Sequence, residues 1–191
     1  MKFFLILFSI LYSYAVLRYH FGKNISSESF LYVLNKGIAW TCASMLLLSV
    51  LPNNKLNVIG LTRRATGLIG YSVALIHVVI TLVVFNQAYY PGFYSSNMIN
   101  IHGWMNICIG ILSLICFSFP LFASFYNSKN SWYYSIGRYG VLLNISHVFS
   151  IGFLNWFPLS TWPCYLPPIT MIFVCQGITI LFYRYYFLRN N

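Results

Sequence analysis

Apolar residues in this chain come in long runs separated by short polar punctuation. Six runs are long enough to cross a hydrocarbon layer: Phe3–Tyr19, Phe30–Leu51, Thr66–Phe85, Trp104–Tyr126, Tyr134–Trp156 and Tyr165–Tyr183. A bilayer core about 30 Å thick takes about 20 residues of helix. Backbone groups in lipid must find partners within their own segment, so each run is predicted to be helical. Between the runs fall Pro52-Asn53-Asn54, Pro91-Gly92, Asn127-Ser128-Lys129-Asn130, and Pro163 with Pro167-Pro168, all of them turn-forming sequences. The pattern predicts an all-α, polytopic membrane protein: one transmembrane domain of six helices spanning residues 1–191.

Composition sharpens this. Of 191 residues, 59% are hydrophobic and 6% charged, against about 25% charged in an ordinary soluble domain. A water-facing surface cannot be covered with so few polar groups. The 17 Phe, 16 Tyr and 5 Trp also exclude a chain that stays disordered. Glu28 is the single acid beside 11 Lys+Arg, and there is no Asp. Carboxylate dyads, Asp-containing triads and carboxylate metal cages are therefore excluded. The bases are scattered between apolar runs rather than clustered on a soluble face, so no nucleic-acid partner is expected. A proton- or cation-coupled transporter is disfavoured for want of acids within the spans.

The bases also orient the chain. Lys2, Lys55, Arg63, Arg64, Lys129, Arg138, Arg184 and Arg189 fall on one side, and Arg18, Lys23 and Lys36, with Glu28, on the other. The positive-inside rule then puts both termini in the cytoplasm of a multi-pass protein of the inner (plasma) membrane. The first run also reads as a signal peptide, with Lys2 ahead of an apolar stretch and Ser13-Tyr14-Ala15 as its cleavage site. Of the five cysteines, Cys42, Cys108, Cys116 and Cys175 lie within runs and Cys164 in a loop. With no C-x-x-C pair, they read as packing residues.

Four histidines remain. His20 and His102 fall at span ends, where interfacial hydrogen bonding is their expected role. His77 and His147 sit deep within the third and fifth runs, 11 residues after Thr66 and 13 after Tyr134. These are depths of about 17 and 20 Å on like-directed helices. An ionisable residue at such depth is costly and points to function. Their surroundings repeat at an offset of 70 residues: Gly67, Gly70, Ala74, His77 against Gly137, Gly140, Asn144, His147. Each set lies within about 80° of one helix face. A stripe of small residues admits a flat object close to the backbone, either a neighbouring helix or a porphyrin. Two neutral imidazoles at one depth suit axial ligation of haem iron, whereas zinc wants three or four ligands. The bland alternative is hydrogen bonding across the bundle, for instance to Asn144, Ser72 or Thr81.

Arg63-Arg64-Ala65-Thr66-Gly67-Leu68 through Leu75-Ile76-His77 resembles the third-helix signature of the ferric reductase-like transmembrane domain superfamily. That group includes the haem subunit of the bacterial methionine sulfoxide reductase system, the STEAP metalloreductases and the membrane domain of NADPH oxidases. Leu34-Asn35-Lys36-Gly37-Ile38-Ala39 resembles the start of its second helix, and Ile136-Gly137-Arg138 to His147-Val148 its fifth. Trp162-Pro163 with Leu166-Pro167-Pro168-Ile169 resembles a loop of its small bacterial members. The resemblance runs from about Leu31 to Arg184. It implies one haem b between helices three and five, with His77 and His147 as axial iron ligands and Gly67, Gly70, Ala74, Gly137, Gly140 and Asn144 facing it. Arg63, Arg64 and Arg138 would touch the propionates or an acidic partner, or else serve as membrane-edge anchors.

Two-haem members carry a second histidine layer. Here Tyr134 stands 13 residues before His147 and Tyr90 stands 13 after His77, which implies a one-haem version. No flavin or nicotinamide site is present, since no G-x-G-x-x-G follows a strand. The implied role is a b-type haem electron-transfer subunit, the membrane component of an oxidoreductase. Its electrons would come from a separate cytoplasmic flavoprotein reductase or a membrane quinone and pass to a periplasmic acceptor. The alternative is a haem-free scaffold or assembly protein that keeps the bundle.

Overall fold

The computed structural model describes residues 2–21, 30–126 and 130–189. Lys23, Glu28 and Lys129, used above to orient the chain, lie outside the described residues. Among the described residues, seven α-helices follow in order: α1 (Lys2–Ala15), continued by a wider π-helical turn to Phe21, α2 (Phe30–Leu48), the short α3 (Asn53–Asn57), α4 (Arg63–Val84), α5 (Ile101–Phe125), α6 (Ser131–Gly152) and α7 (Ile169–Arg189). Between α4 and α5 a small hairpin pairs β1 (Tyr94–Ser95) with β2 (Met98–Ile99). Its two-residue turn, Ser96-Asn97, has φ of 49° and 65°, the left-handed pair that a tight hairpin demands.

Among the described residues, five segments are long and apolar enough to cross a membrane: Lys2–Phe21, Phe30–Leu48, Arg63–Val84, Ile101–Phe125 and Pro163–Tyr186. The protein is thus a multi-pass, all-α membrane bundle. The sixth expected span forms α6, a helix of 22 residues, or about 33 Å. It falls short in apolarity because Ser135, Arg138, Asn144, Ser146, His147 and Ser150 interrupt it.

Helix starts are set by caps rather than by the onset of apolarity. The Thr62 hydroxyl accepts from the Ala65 N–H, the Asn100 side chain from Gly103, and the Asn130 side chain from Trp132. Each satisfies an orphan N–H of a first turn. In consequence α4, α5 and α6 each begin three residues before the apolar run that announces them. The start of α7 is delayed from Tyr165 to Ile169, after Pro167-Pro168, since a residue before proline avoids helical backbone.

The core sits on α2. Its Thr41, Met45 and Leu47 are completely or almost completely buried. The most extensive contacts are α5 on α6 and α2 on α4, whereas α1 and α7 flank them. Within the bilayer, close packing and polar contacts replace the hydrophobic drive between helices, and glycines mark where backbones meet. A Cβ on Gly70 would come within 3.1 Å of Met45 and Leu46 on α2. One on Gly137 would meet Pro120 at 2.8 Å, and one on Gly140 would meet Cys116 at 3.1 Å, both on α5. Gly37 of α2 receives Tyr12 of α1, and Gly177 of α7 receives Ile145 of α6. Large apolar side chains such as Val79, Leu82 and Val83 on α4 and Ile111, Leu112 and Ile115 on α5 remain exposed, as a lipid-facing surface requires.

Candidate functional site

His77 and His147 lie on helices that start at the same end of the bundle. His77 comes 14 residues after Arg63 and His147 comes 16 after Ser131, which puts them about 21 and 24 Å along their helices. His77 occupies the seam of α4 with α2. Its Nδ1 lies 2.7 Å from Asn35 Oδ1 and 3.3 Å from Thr81 Oγ1. The network fixes the proton. Asn35 Nδ2 donates to Thr81 Oγ1 at 2.9 Å, and the Thr81 hydroxyl donates to the His77 carbonyl at 2.7 Å. The amide oxygen of Asn35 therefore needs a donor, and only an Nδ1–H supplies it. In the neutral ring the free lone pair is then on Nε2.

His147 repeats this arrangement at the seam of α6 with α5. Its Nδ1 lies 3.0 Å from the Asn106 carbonyl oxygen, which can only accept, so Nδ1 again carries the proton and Nε2 the lone pair. Asn106 Nδ2 returns bonds to the His147 carbonyl at 3.1 Å and to Ser150 Oγ at 2.6 Å. The imidazole lies over Gly110, where a Cβ would stand 2.8 Å from its Cε1. Both asparagines are buried, Asn35 with 1% of its surface exposed and Asn106 with 4%. Buried amides are normally hydrogen-bonded, and both of these are. The two rings stand within electrostatic range of each other, and the Lys36 ammonium is within range of both. That ammonium lies 4.9 Å from the ring centre of Tyr32 and 4.7 Å from that of Tyr90, a cation held by two aromatic faces.

The small-residue stripes meet helices. Gly67, Gly70 and Ala74 turn towards α2 or the core around it, and Gly137 and Gly140 turn towards α5. Of the two flat objects a stripe can admit, these positions receive a neighbouring helix. Asn144 is half-buried between Gly140 and His147; neither it nor Ser72 bonds to a histidine, but Thr81 does.

Arg63, Arg64 and Arg138 gather at the far end of the same helices, around a cavity of about 820 Å³. Arg64 is 13 residues from His77, or about 20 Å along α4. Arg138 is nine residues from His147, or about 14 Å along α6. Arg184 of α7 joins the arginine group.

Asn35, Asn106, Ser150 and Arg184 are the members that sequence reasoning did not place at a site. One signal was available for the asparagines. Asn35 and Asn106 stand 71 residues apart, nearly the 70-residue offset of the histidine stripes. Met45 and Leu46 against Gly70 likewise match Cys116 and Phe117 against Gly140 at the same spacing. The α2–α4 and α5–α6 pairs are therefore two copies of one local design, each holding one histidine by an asparagine on the partner helix. The chain matches no protein-family model and no curated protein sequence.

Proposed function

We propose that this protein is a b-type haem-binding electron-transfer subunit of the plasma membrane, with His77 and His147 as the axial ligands. The supporting observation is that both imidazoles sit half-buried in helix seams of the bundle, at closely similar distances along their helices, each with Nδ1–H committed to an asparagine and Nε2 left with its lone pair. A metal-bound histidine is normally fixed in this way through its second nitrogen. The donor set suits a macrocycle that supplies the other four ligands itself. Among the described residues no third His, Cys or carboxylate joins the pair, so a tetrahedral ion lacks ligands here.

Haem supplies one-electron redox chemistry when bound. The chain's own residues hold the imidazoles in one tautomer, exclude water with apolar helices, and place the Lys36 charge nearby. That positive charge favours the state with the extra electron. In this reading α6 is a sixth span, the arginine-bearing end is cytoplasmic, and a separate flavoprotein or a quinone delivers electrons for an acceptor on the opposite side.

The test is haem content after expression with ample haem. One haem per chain is expected, with loss in His77→Ala and in His147→Ala. Folded wild-type protein without haem would overturn the reading and favour a haem-free scaffold, to which the helix-filled glycine stripes lend their support.

A further inference from the structure

We propose that the arginine-lined cavity is a binding site for a phosphate-bearing amphiphile, separate from the histidine centre and independent of whether haem binds there. Four cations converge on it from three helices: Arg63 and Arg64 of α4, Arg138 of α6 and Arg184 of α7. Among the described residues no carboxylate lines it.

Simple anchoring at a membrane edge does not account for this arrangement. Anchoring residues sit in loops, whereas Arg138 stands seven residues into α6 and Arg184 five before the end of α7, and both share one concave space with the α4 pair. Three of the guanidinium groups are held in place by backbone carbonyls at helix ends. Arg63 Nε donates to Ser49 O at 3.2 Å, Arg64 Nη2 to Ser124 O at 3.1 Å, and Arg184 Nη1 to Val50 O at 3.0 Å. These bonds complement the negative ends of α2 and α5. Each uses one of the five donors of a guanidinium and leaves a fixed fork, the geometry that recognises phosphate. Arg63 and Arg138 both act electrostatically on Arg184, a mutual repulsion that a bound anion would offset.

The lining is mixed in chemistry. Besides the cations it has the hydroxyls of Ser49, Ser124, Ser131 and Ser135 and the apolar side chains of Leu46, Leu68, Phe117 and Leu121. A ligand with a phosphate and an apolar portion matches both. An anionic lipid headgroup and a soluble phosphate ester share that chemistry.

The full chain, purified in a zwitterionic detergent, is titrated with dioleoyl phosphatidylglycerol and with dioleoyl phosphatidylcholine, and bound lipid is counted by native mass spectrometry. The site predicts at least tenfold tighter binding of the phosphatidylglycerol, weakened at least tenfold by Arg138→Gln and by Arg184→Gln. Lys55→Gln removes a charge from the same end without lining the cavity, and it should leave binding unchanged. Should Arg184→Gln lose its fold with the Val50 contact, Arg138→Gln carries the comparison. A second arm raises thermal stability with inorganic phosphate alone. A stabilisation abolished by Arg138→Gln, without lipid selectivity, supports the site and assigns it to a soluble phosphate ester. Equal binding of both lipids together with no phosphate effect overturns the proposal, as does a loss in Lys55→Gln equal to that in Arg138→Gln.

Discussion

His77 and His147 are each oriented by a neighbour that is itself nearly inaccessible. Asn35 spends its oxygen on His77 and its NH₂ on Thr81. Asn106 spends its carbonyl on His147 and its side chain on the backbone and Ser150 of α6. Asn35→Leu should therefore cost about 1 kcal/mol of stability in detergent, the scale of an interhelical polar contact. It should also lower haem affinity roughly 10- to 100-fold, the usual effect of removing an outer partner of a metal-bound histidine. Thermal unfolding and haem titration of the same preparation check both. Gly110→Leu should be harsher at the other ring, since its Cβ alone meets His147 at 2.8 Å. A cost of about 1–3 kcal/mol is expected from such overpacking. Gly92→Ala, where a Cβ meets nothing within 4 Å, should leave the unfolding midpoint unchanged.

At the scale of elements, the two helix pairs are zipped by glycine on one partner and a bulky residue on the other. Pro120 is the clearest tooth. It interrupts α5, where a proline forfeits a backbone hydrogen bond, and its ring fills the notch at Gly137. Gly137→Leu should lower the thermal midpoint, and Pro120→Ala in that background should recover part of the loss. A double-mutant cycle reads the coupling; additive effects would show that the two do not meet. Hydropathy found the helices and missed this layer for a physical reason. Long apolar runs report the need to bury backbone, which each segment meets alone. What a glycine stripe receives depends on which helix lies opposite, and the stripe itself fits a helix or a ring equally well. The starts of α4, α5 and α6 were misjudged similarly, because Thr62, Asn100 and Asn130 cap them in a polar stretch that hydropathy discounts. The histidines were legible because a polar ring amid Val, Ile and Leu is conspicuous, whereas Asn35 takes its meaning from Thr81 and His77 on another helix.

For the molecule as a whole, charge divides the two ends. Arg63, Arg64, Arg138 and Arg184 surround one cavity. At the other end Arg18 donates to the Leu166 carbonyl, and Lys36 rests on Tyr32 and Tyr90. An arginine end facing the cytoplasm predicts opposite labelling of two introduced cysteines on either side of α4. Asn97→Cys, in the hairpin, should react with an impermeant maleimide on intact cells, and Asn57→Cys, at the end of α3, only after lysis; the chain's native cysteines are replaced in both. The reverse pattern would invert the topology.

The central claim, two imidazoles on one iron, is tested most directly by electron paramagnetic resonance of the ferric protein. Bis-histidine ligation predicts a low-spin signal in the wild type. His147→Gly should lose that signal or convert it to high spin, and added imidazole should restore it; His77→Gly should behave in the same way. A low-spin signal that persists unchanged in either variant, or a wild type with no haem iron signal after expression with ample haem, contradicts the account.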